Sequence, residues 1–176
     1  MKQIVRVRAP VAGDSGGLTQ LLQTYMGEAL SMPWGGSADA LEQDVSAGRV
    51  NVLVADEADA LIGFAAWTWS YDLHHCVSGG EVLDVYVTPG RRGKAVAVAL
   101  LAAAADEVRR AGGTYLKGLV VAERAGRRLY QRLGVCFPGE HCYVSGRAFR
   151  ELSALAGRPA REIARRLPDK SWNRES

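Results

Sequence analysis

Apolar and polar positions along the chain switch repeatedly between a period of two and a period near 3.6. Residues 4–8 alternate one by one and predict a short strand. After Pro10 and the glycine-rich turn at 13–17, Leu18, Leu21, Leu22, Tyr25 and Met26 recur at helical spacing, so a helix follows. Met32-Pro33-Trp34-Gly35-Gly36 breaks it. Ser37 is placed to cap a second short helix with Leu41 and Val45 on its inner face. Residues 51–56 and 61–71 read as strands joined by the polar turn Glu57-Ala58-Asp59. A loop is expected over 72–80, and a strand over 81–87.

The second half continues the alternation of elements. A loop at 88–93 leads into an alanine-rich helix over 94–111, with Arg109 and Arg110 suited to its C-terminal dipole and Gly112-Gly113 ending it. A strand is expected over 115–121, a helix over 123–133 stopped by Gly134, and a last short strand over 141–144. Phe149, Leu152 and Leu155 then fall at helical spacing. Beyond Gly157-Arg158-Pro159 the chain turns polar and arginine-rich. The organisation predicted is one α/β domain over 1–157 and a basic, helical C-terminal appendage over 158–176.

Composition narrows the class without naming it. With 176 residues, 48% apolar and 23% charged, the chain can bury one sizeable core and is neither disordered nor fibrous. Its longest apolar run, 95–105, is eleven residues, too short to cross a bilayer. Met1-Lys2-Gln3 leads straight into the first strand, so no secretory signal is expected. That, with an odd count of three cysteines, points to a reducing cytoplasm. The net charge of +3 hides a gradient: residues 1–87 carry eleven acidic and four basic groups, net −7, whereas 88–146 net +6 and 147–176 net +4. Such a split suits a protein that brings a cation and an anion together.

The most informative segment is 85–97, Val-Tyr-Val-Thr-Pro-Gly-Arg-Arg-Gly-Lys-Ala-Val-Ala. A strand runs through a basic, glycine-containing loop into a long helix. The free N–H groups and dipole of that helix start form an anion site, Arg91, Arg92 and Lys94 add charge, and Gly93, Ala95 and Ala97 let a pyrophosphate approach the backbone. The alternative is an ordinary strand–loop–helix with exposed arginines. Neither common nucleotide fingerprint is present.

The run Val87-x-Pro-x-x-Arg-Gly-x-Ala-x-Ala-x-x-Leu-Leu resembles the acetyl-CoA-binding motif of the GNAT superfamily of N-acetyltransferases. About 45 residues later, 125–135 (Ala-Gly-Arg-Arg-Leu-Tyr-Gln-Arg-Leu-Gly-Val) resembles its second signature. The resemblance spans roughly 4–155 and implies a mixed central sheet flanked by helices, with splayed central strands forming an acetyl-CoA cleft. Trp69-Ser70-Tyr71 and the strand 82–87 look most like the branch that acetylates polyamines and small diamines. The family resemblance implies that the backbone of Val85 and Val87 pairs with the pantetheine arm, and that one of those N–H groups stabilises the thioester oxygen. It implies further that N–H groups from Arg92 through Gly93, Lys94, Ala95, Val96 and Ala97 hold the pyrophosphate, and that Tyr130 protonates the leaving thiolate.

Departures from the family pattern shape the remaining expectations. Ala95 and Ala97 stand where glycine is usual, and Glu123 where asparagine is frequent. Leu83 occupies the position of the diamine branch's glutamate base, and leucine takes no proton. Strict alternation puts Glu81 on the same face as Leu83 and Asp84 on the other, so Glu81 is the candidate base through bridging water; the alternative is a solvated carboxylate. Trp67, Trp69 and Tyr71 share a strand face, Trp67 reading as core. Trp34, Tyr71, Asp72 and Asp84 are the candidate acceptor contacts. His74-His75-Cys76 and His141-Cys142 lack the spaced pairs of a zinc site, and no metal is expected.

The predicted activity is acetyl transfer from acetyl-CoA to a primary amine by direct attack, a small cationic amine first. A protein or aminoacyl-tRNA amine is the alternative acceptor, and a catalytically impaired acyl-CoA-binding module the alternative class. A homodimer is expected at the family level. The arginine-rich tail leaves nucleic acid possible but not favoured, and no membrane association is expected.

Overall fold

The structure is a computed structural model, and it describes residues 5–119, 131–136 and 141–166. In chain order the described elements are β1 (Arg6–Arg8), α1 (Ser15–Leu30), α2 (Ala38–Ser46), β2 (Asn51–Glu57), β3 (Ala60–Asp72), β4 (Val77–Val87) and α3 (Val96–Arg110). They are followed by β5 (Tyr115–Leu119), β6 (Val135–Cys136), β7 (His141–Ser145), α4 (Gly146–Ser153) and α5 (Ala160–Arg166). The strands form one mixed sheet in the order β1-β2-β3-β4-β5-β7-β6. Only β4 and β5 run parallel, as the intervening crossover helix α3 requires.

Two layers of helix sandwich the sheet, each with its own core. Leu18 and Leu21 of α1 pack with Val52, Val54, Phe64 and Tyr86 on one face. On the other face, Val98, Leu100, Leu101 and Val108 of α3 pack with Leu53, Ala65, Trp67 and Leu116. The α4 residues Phe149 and Leu152 join this second cluster, as does Ile163 of α5, which is fully buried. The boundary expected at Gly157 therefore does not divide the packed core. Residues 167–176 of the expected appendage lie outside the described residues. No described helix is long and apolar enough to cross a membrane.

Local chemistry explains most element ends. The Ser37 side chain accepts a hydrogen bond from Ala40 N–H at 3.2 Å, capping α2 as expected. The β2–β3 hairpin turns on Ala58 and Asp59, both with positive φ (52° and 62°), the two-residue geometry that follows strand twist. One expectation fails. The loop predicted over 72–80 is only 73–76, and β4 begins at Val77. Gly79 and Gly80, placed in that loop by the expectation, are strand residues without room for a side chain. A Cβ on Gly79 would lie 2.6 Å from the Tyr115 ring, and one on Gly80 would lie 2.7 Å from Leu116 and 2.8 Å from Val108.

Candidate active site

The site begins where the sheet comes apart. β4 pairs with β5 only over Gly80–Leu116, Glu81–Lys117 and Val82–Gly118. On its other side β4 stays paired with β3 as far as Gly63–Val87. Thus 83–87 of β4 has an edge with no strand partner among the described residues. The peptide direction along that edge follows from one bond. Thr88 N–H donates to Ile62 O at 2.9 Å, so Thr88, Tyr86 and Asp84 turn their peptide groups to β3, and Val87 and Val85 turn theirs to the opening. These are the two valines whose backbone the sequence resemblance assigns to the pantetheine arm. Exposed Leu83 and Leu119 form apolar lips on the two sides.

A bulge sits at the mouth of the opening. The β3–β4 register steps between Ala66–Asp84 and Trp67–Val82, leaving Leu83 as the extra residue. This corrects the expected side-chain faces. Val82 and Val85 both pack toward α3, so the bulge places Glu81, opposite Thr68, and Asp84, opposite Ala66, together on the α1 face. Alternation alone had separated them. Glu81 lies just before the last β4–β5 pair, and its carboxylate meets Lys117 Nζ at 3.1 Å.

The loop after β4 makes the anion cradle. Gly93 and Ala95 both take left-handed backbone, with φ of 74° and 60°. That conformation costs alanine about 1 kcal/mol more than glycine, a physical reason for the family's glycine at this place. The first α3 turn closes with Ala99 N–H donating to Ala95 O at 3.0 Å. The N–H groups of Val96, Ala97 and Val98 are then without partners inside the helix. Arg92 does not contribute its N–H as expected, because that group donates to Pro89 O at 3.3 Å within the preceding turn. The fixed charge is also smaller than the sequence suggested. Arg91 Nε is 2.5 Å from Glu57, and Arg92 Nη2 is 2.5 Å from Glu28. Exposed Lys94 donates instead to the neutral carbonyl of Gly90 at 3.1 Å.

On the α1 side of the opening is a polar cluster that the sequence reading did not anticipate. Tyr25 donates its hydroxyl hydrogen to Asp84 Oδ1, and Tyr86 donates to Glu28 Oε1 at 3.0 Å. Arg92 Nε donates to Val87 O at 2.9 Å while its guanidinium lies 5.6 Å from the Tyr86 ring centroid. The hydrogen bond from Arg92 holds the Glu28 carboxyl below its ordinary range. Burial, reinforced by Glu28, pushes the Tyr86 phenol up. A signal for this cluster existed: Tyr25 and Glu28 are three apart and share a helix face.

The other expected residues fall in different places. Trp34 is half-buried between α1 and α2, its ring against Gly36. Tyr71 and Asp72 pair with Ser78 and Val77 at the far end of the hairpin. Seven residues of strand separate Val77 from Asp84, roughly 20 Å, so the structure does not gather these acceptor candidates around one pocket. Asp72 instead accepts from His74 N at 2.9 Å and bonds His75 Nδ1 at 2.8 Å; its contact with His75 draws its carboxyl below the usual range. Trp67 is core, as read. Tyr130 and Glu123 lie outside the described residues.

Comparison with known proteins follows the same lines. The acetyltransferase (GNAT) family model matches residues 18–135. A ribosomal-protein-alanine N-acetyltransferase from Brucella melitensis biovar Abortus 2308 superposes with a TM-score of 0.62 at 24% identity, covering 76% of this chain and 93% of that one. The PaiA N-acetyltransferase from Thermoplasma acidophilum, solved with coenzyme A, also gives 0.62, at 15% identity over 81% and 98%. No curated protein sequence matches the chain.

Proposed function

Because the chain belongs to the acetyltransferase (GNAT) family, and so is an N-acetyltransferase that uses acetyl-CoA, we propose that its acceptor is a small cationic amine held at Asp84. One observation carries this reading. The bulge at Leu83 leaves the Asp84 carboxylate on the α1 face with Glu81, within the stretch of β4 that borders the β4–β5 opening. An ammonium group resting there has its neighbouring amine within reach of the edge that Val85 and Val87 present.

The residues fit acetyl-CoA as a cosubstrate. An extended arm suits the unpaired 83–87 edge between apolar Leu83 and Leu119, and a pyrophosphate suits the free N–H groups of Val96, Ala97 and Val98 beside Lys94. Acetyl-CoA supplies the activated acetyl group. Val85 and Val87 hold the arm by their peptide groups, and one of their N–H groups is a fixed donor toward the thioester oxygen. Glu81 accepts the amine proton through water, and Tyr130 returns one to the thiolate sulfur.

The acidic first half of the chain, net −7, supports a cationic acceptor over a neutral one. In a thiol-release assay with 1,4-diaminobutane, Asp84→Asn is expected to lower kcat/KM ten- to fifty-fold with CoA affinity within twofold of the parent. An unchanged kcat/KM would refute the role of Asp84. A preference for an N-terminal alanine peptide over every free amine would favour the protein-acetylating alternative.

A homodimer is supported by a second open edge. β2 pairs with β3 only as far as Asn51–Trp67, so 68–72 has no strand on that side among the described residues. Trp69 and Tyr71 are 49% and 58% exposed there. A two-fold axis at Ser70 would set Trp69 against Tyr71 of the partner subunit, an aromatic cross-strand pair, and leave no like charges opposed. Ser70→Cys in a Cys76→Ser background is expected to give a disulfide-linked dimer on mild oxidation. Monomer alone under those conditions would exclude this edge. The free, exposed Cys76 thiol is in keeping with a reducing, cytoplasmic setting.

A further inference from the structure

We propose that the Arg92 side chain is a displaceable stand-in at the cofactor edge, and that Glu28, once released by it, is a second acceptor-binding carboxylate. This deepens the cationic-amine reading and rests on it for the acceptor half only.

The geometry is a double occupancy. Val87 O faces the opening, where an extended arm bearing amide N–H groups would pair, yet Arg92 Nε already donates to it at 2.9 Å. The other end of the same guanidinium neutralises Glu28 at 2.5 Å. Both cofactor edge and acceptor carboxylate are thus held by one side chain, whose guanidinium lies 5.6 Å from the Tyr86 ring centroid. Its grip is weak by position. The Arg92 and Glu28 side chains are 53% and 38% exposed, and exposed ion pairs contribute little. The pyrophosphate site at the start of α3, a few residues further on, offers the guanidinium a doubly charged partner and bidentate geometry.

Release of Arg92 has two consequences. Val87 O becomes available to the arm, and Glu28 keeps its bond from Tyr86 but loses its counter-charge. Glu28 shares the α1 face with Tyr25, which itself binds Asp84. Two carboxylates on the α1 side, Glu28 and Asp84, can then share the far ammonium of a diamine while its other amine faces the Val85–Val87 edge. Acceptor binding would follow cofactor binding, because only then is Glu28 free.

The test is Glu28→Gln, checked for unchanged fold by circular dichroism and thermal midpoint. Calorimetry with CoA alone is expected to show three- to ten-fold tighter binding than the parent, since nothing restrains Arg92. KM for 1,4-diaminobutane is expected to rise at least ten-fold, with kcat within three-fold, while KM for butylamine moves less than three-fold. In the parent protein, 1,4-diaminobutane should bind measurably only when CoA is present. CoA affinity that is unchanged or weaker in Glu28→Gln would overturn the stand-in role, and equal diamine binding with and without CoA would overturn the coupling. The CoA arm needs no acceptor, so its outcome stands even if no amine is acetylated. Should Glu28→Gln unfold, Glu28→Ala and Glu28→Asp supply the same comparison, with Asp expected to restore diamine KM in part.

Discussion

Glu81→Gln is expected to lower kcat about a hundred-fold, the usual scale for loss of a positioned general base, and to leave CoA affinity within twofold. The amine must shed a proton before it attacks, and Leu83 at the bulge cannot take one. In the proposed mechanism that proton passes to Glu81. It precedes the point where β4 and β5 part by a single pair, and the bulge turns it to the same face as Asp84. Lys117, its cross-strand neighbour, pairs with it at 3.1 Å. A purely structural carboxylate would behave differently, because removing either partner would then have the same effect. Lys117→Met therefore serves as the contrast. If Glu81 is the base, Glu81→Gln flattens the acid limb of the pH–kcat/KM profile and Lys117→Met keeps that limb. Identical profiles for Glu81→Gln and the parent protein would eliminate the proposal.

Gly63→Ala is expected to destabilise the protein by about 2–3 kcal/mol and to weaken CoA binding ten-fold or more. Gly63 lies opposite Val87, at the end of the β3–β4 pairing. A Cβ there would come within 2.6 Å of the Tyr86 carbonyl oxygen and 3.3 Å of Val87 Cα. These are backbone atoms, so no rotamer change relieves the contact and β4 itself must move. The peptide groups displaced belong to the edge that Val85 and Val87 offer. Gly36→Ala is the control: its close contact, also 2.6 Å, is with the Trp34 side chain and not with β4 backbone. Chemical denaturation and calorimetry separate the two effects. Stability lost with CoA affinity intact would show that the β4 edge does not bind the arm.

The parts of the site written in consecutive residues were legible in the sequence. The 85–97 segment carries strand, cradle and helix start within one stretch, and the backbone role of Val85 and Val87 was implied by the family resemblance of that same stretch. What escaped was whatever depends on two segments at once. A bulge is a register step between strands, so Leu83 is indistinguishable from its neighbours until Ala66 and Trp67 are seen opposite Asp84 and Val82. Gly79 and Gly80 fell within an expected loop because the reason for glycine there, the side chains of Tyr115, Leu116 and Val108, lies about thirty residues away. Arg91 and Arg92 looked like free charge until Glu57 and Glu28, from another strand and another helix, closed on them. The aromatic and acidic candidates Tyr71 and Asp72 had the right chemistry but sit at the wrong end of a long hairpin.

The proposed function requires that carboxylates beside the β4–β5 opening read the second positive charge of the amine. The direct test is thiol release from acetyl-CoA with three acceptors: 1,4-diaminobutane, butylamine with the same four-carbon chain, and an N-terminal alanine peptide. The kcat/KM for the diamine is expected to be at least ten-fold above that of butylamine and above that of the peptide, with the advantage over butylamine lost in Asp84→Asn. Equal rates for diamine and butylamine, or a clear preference for the peptide, would contradict it.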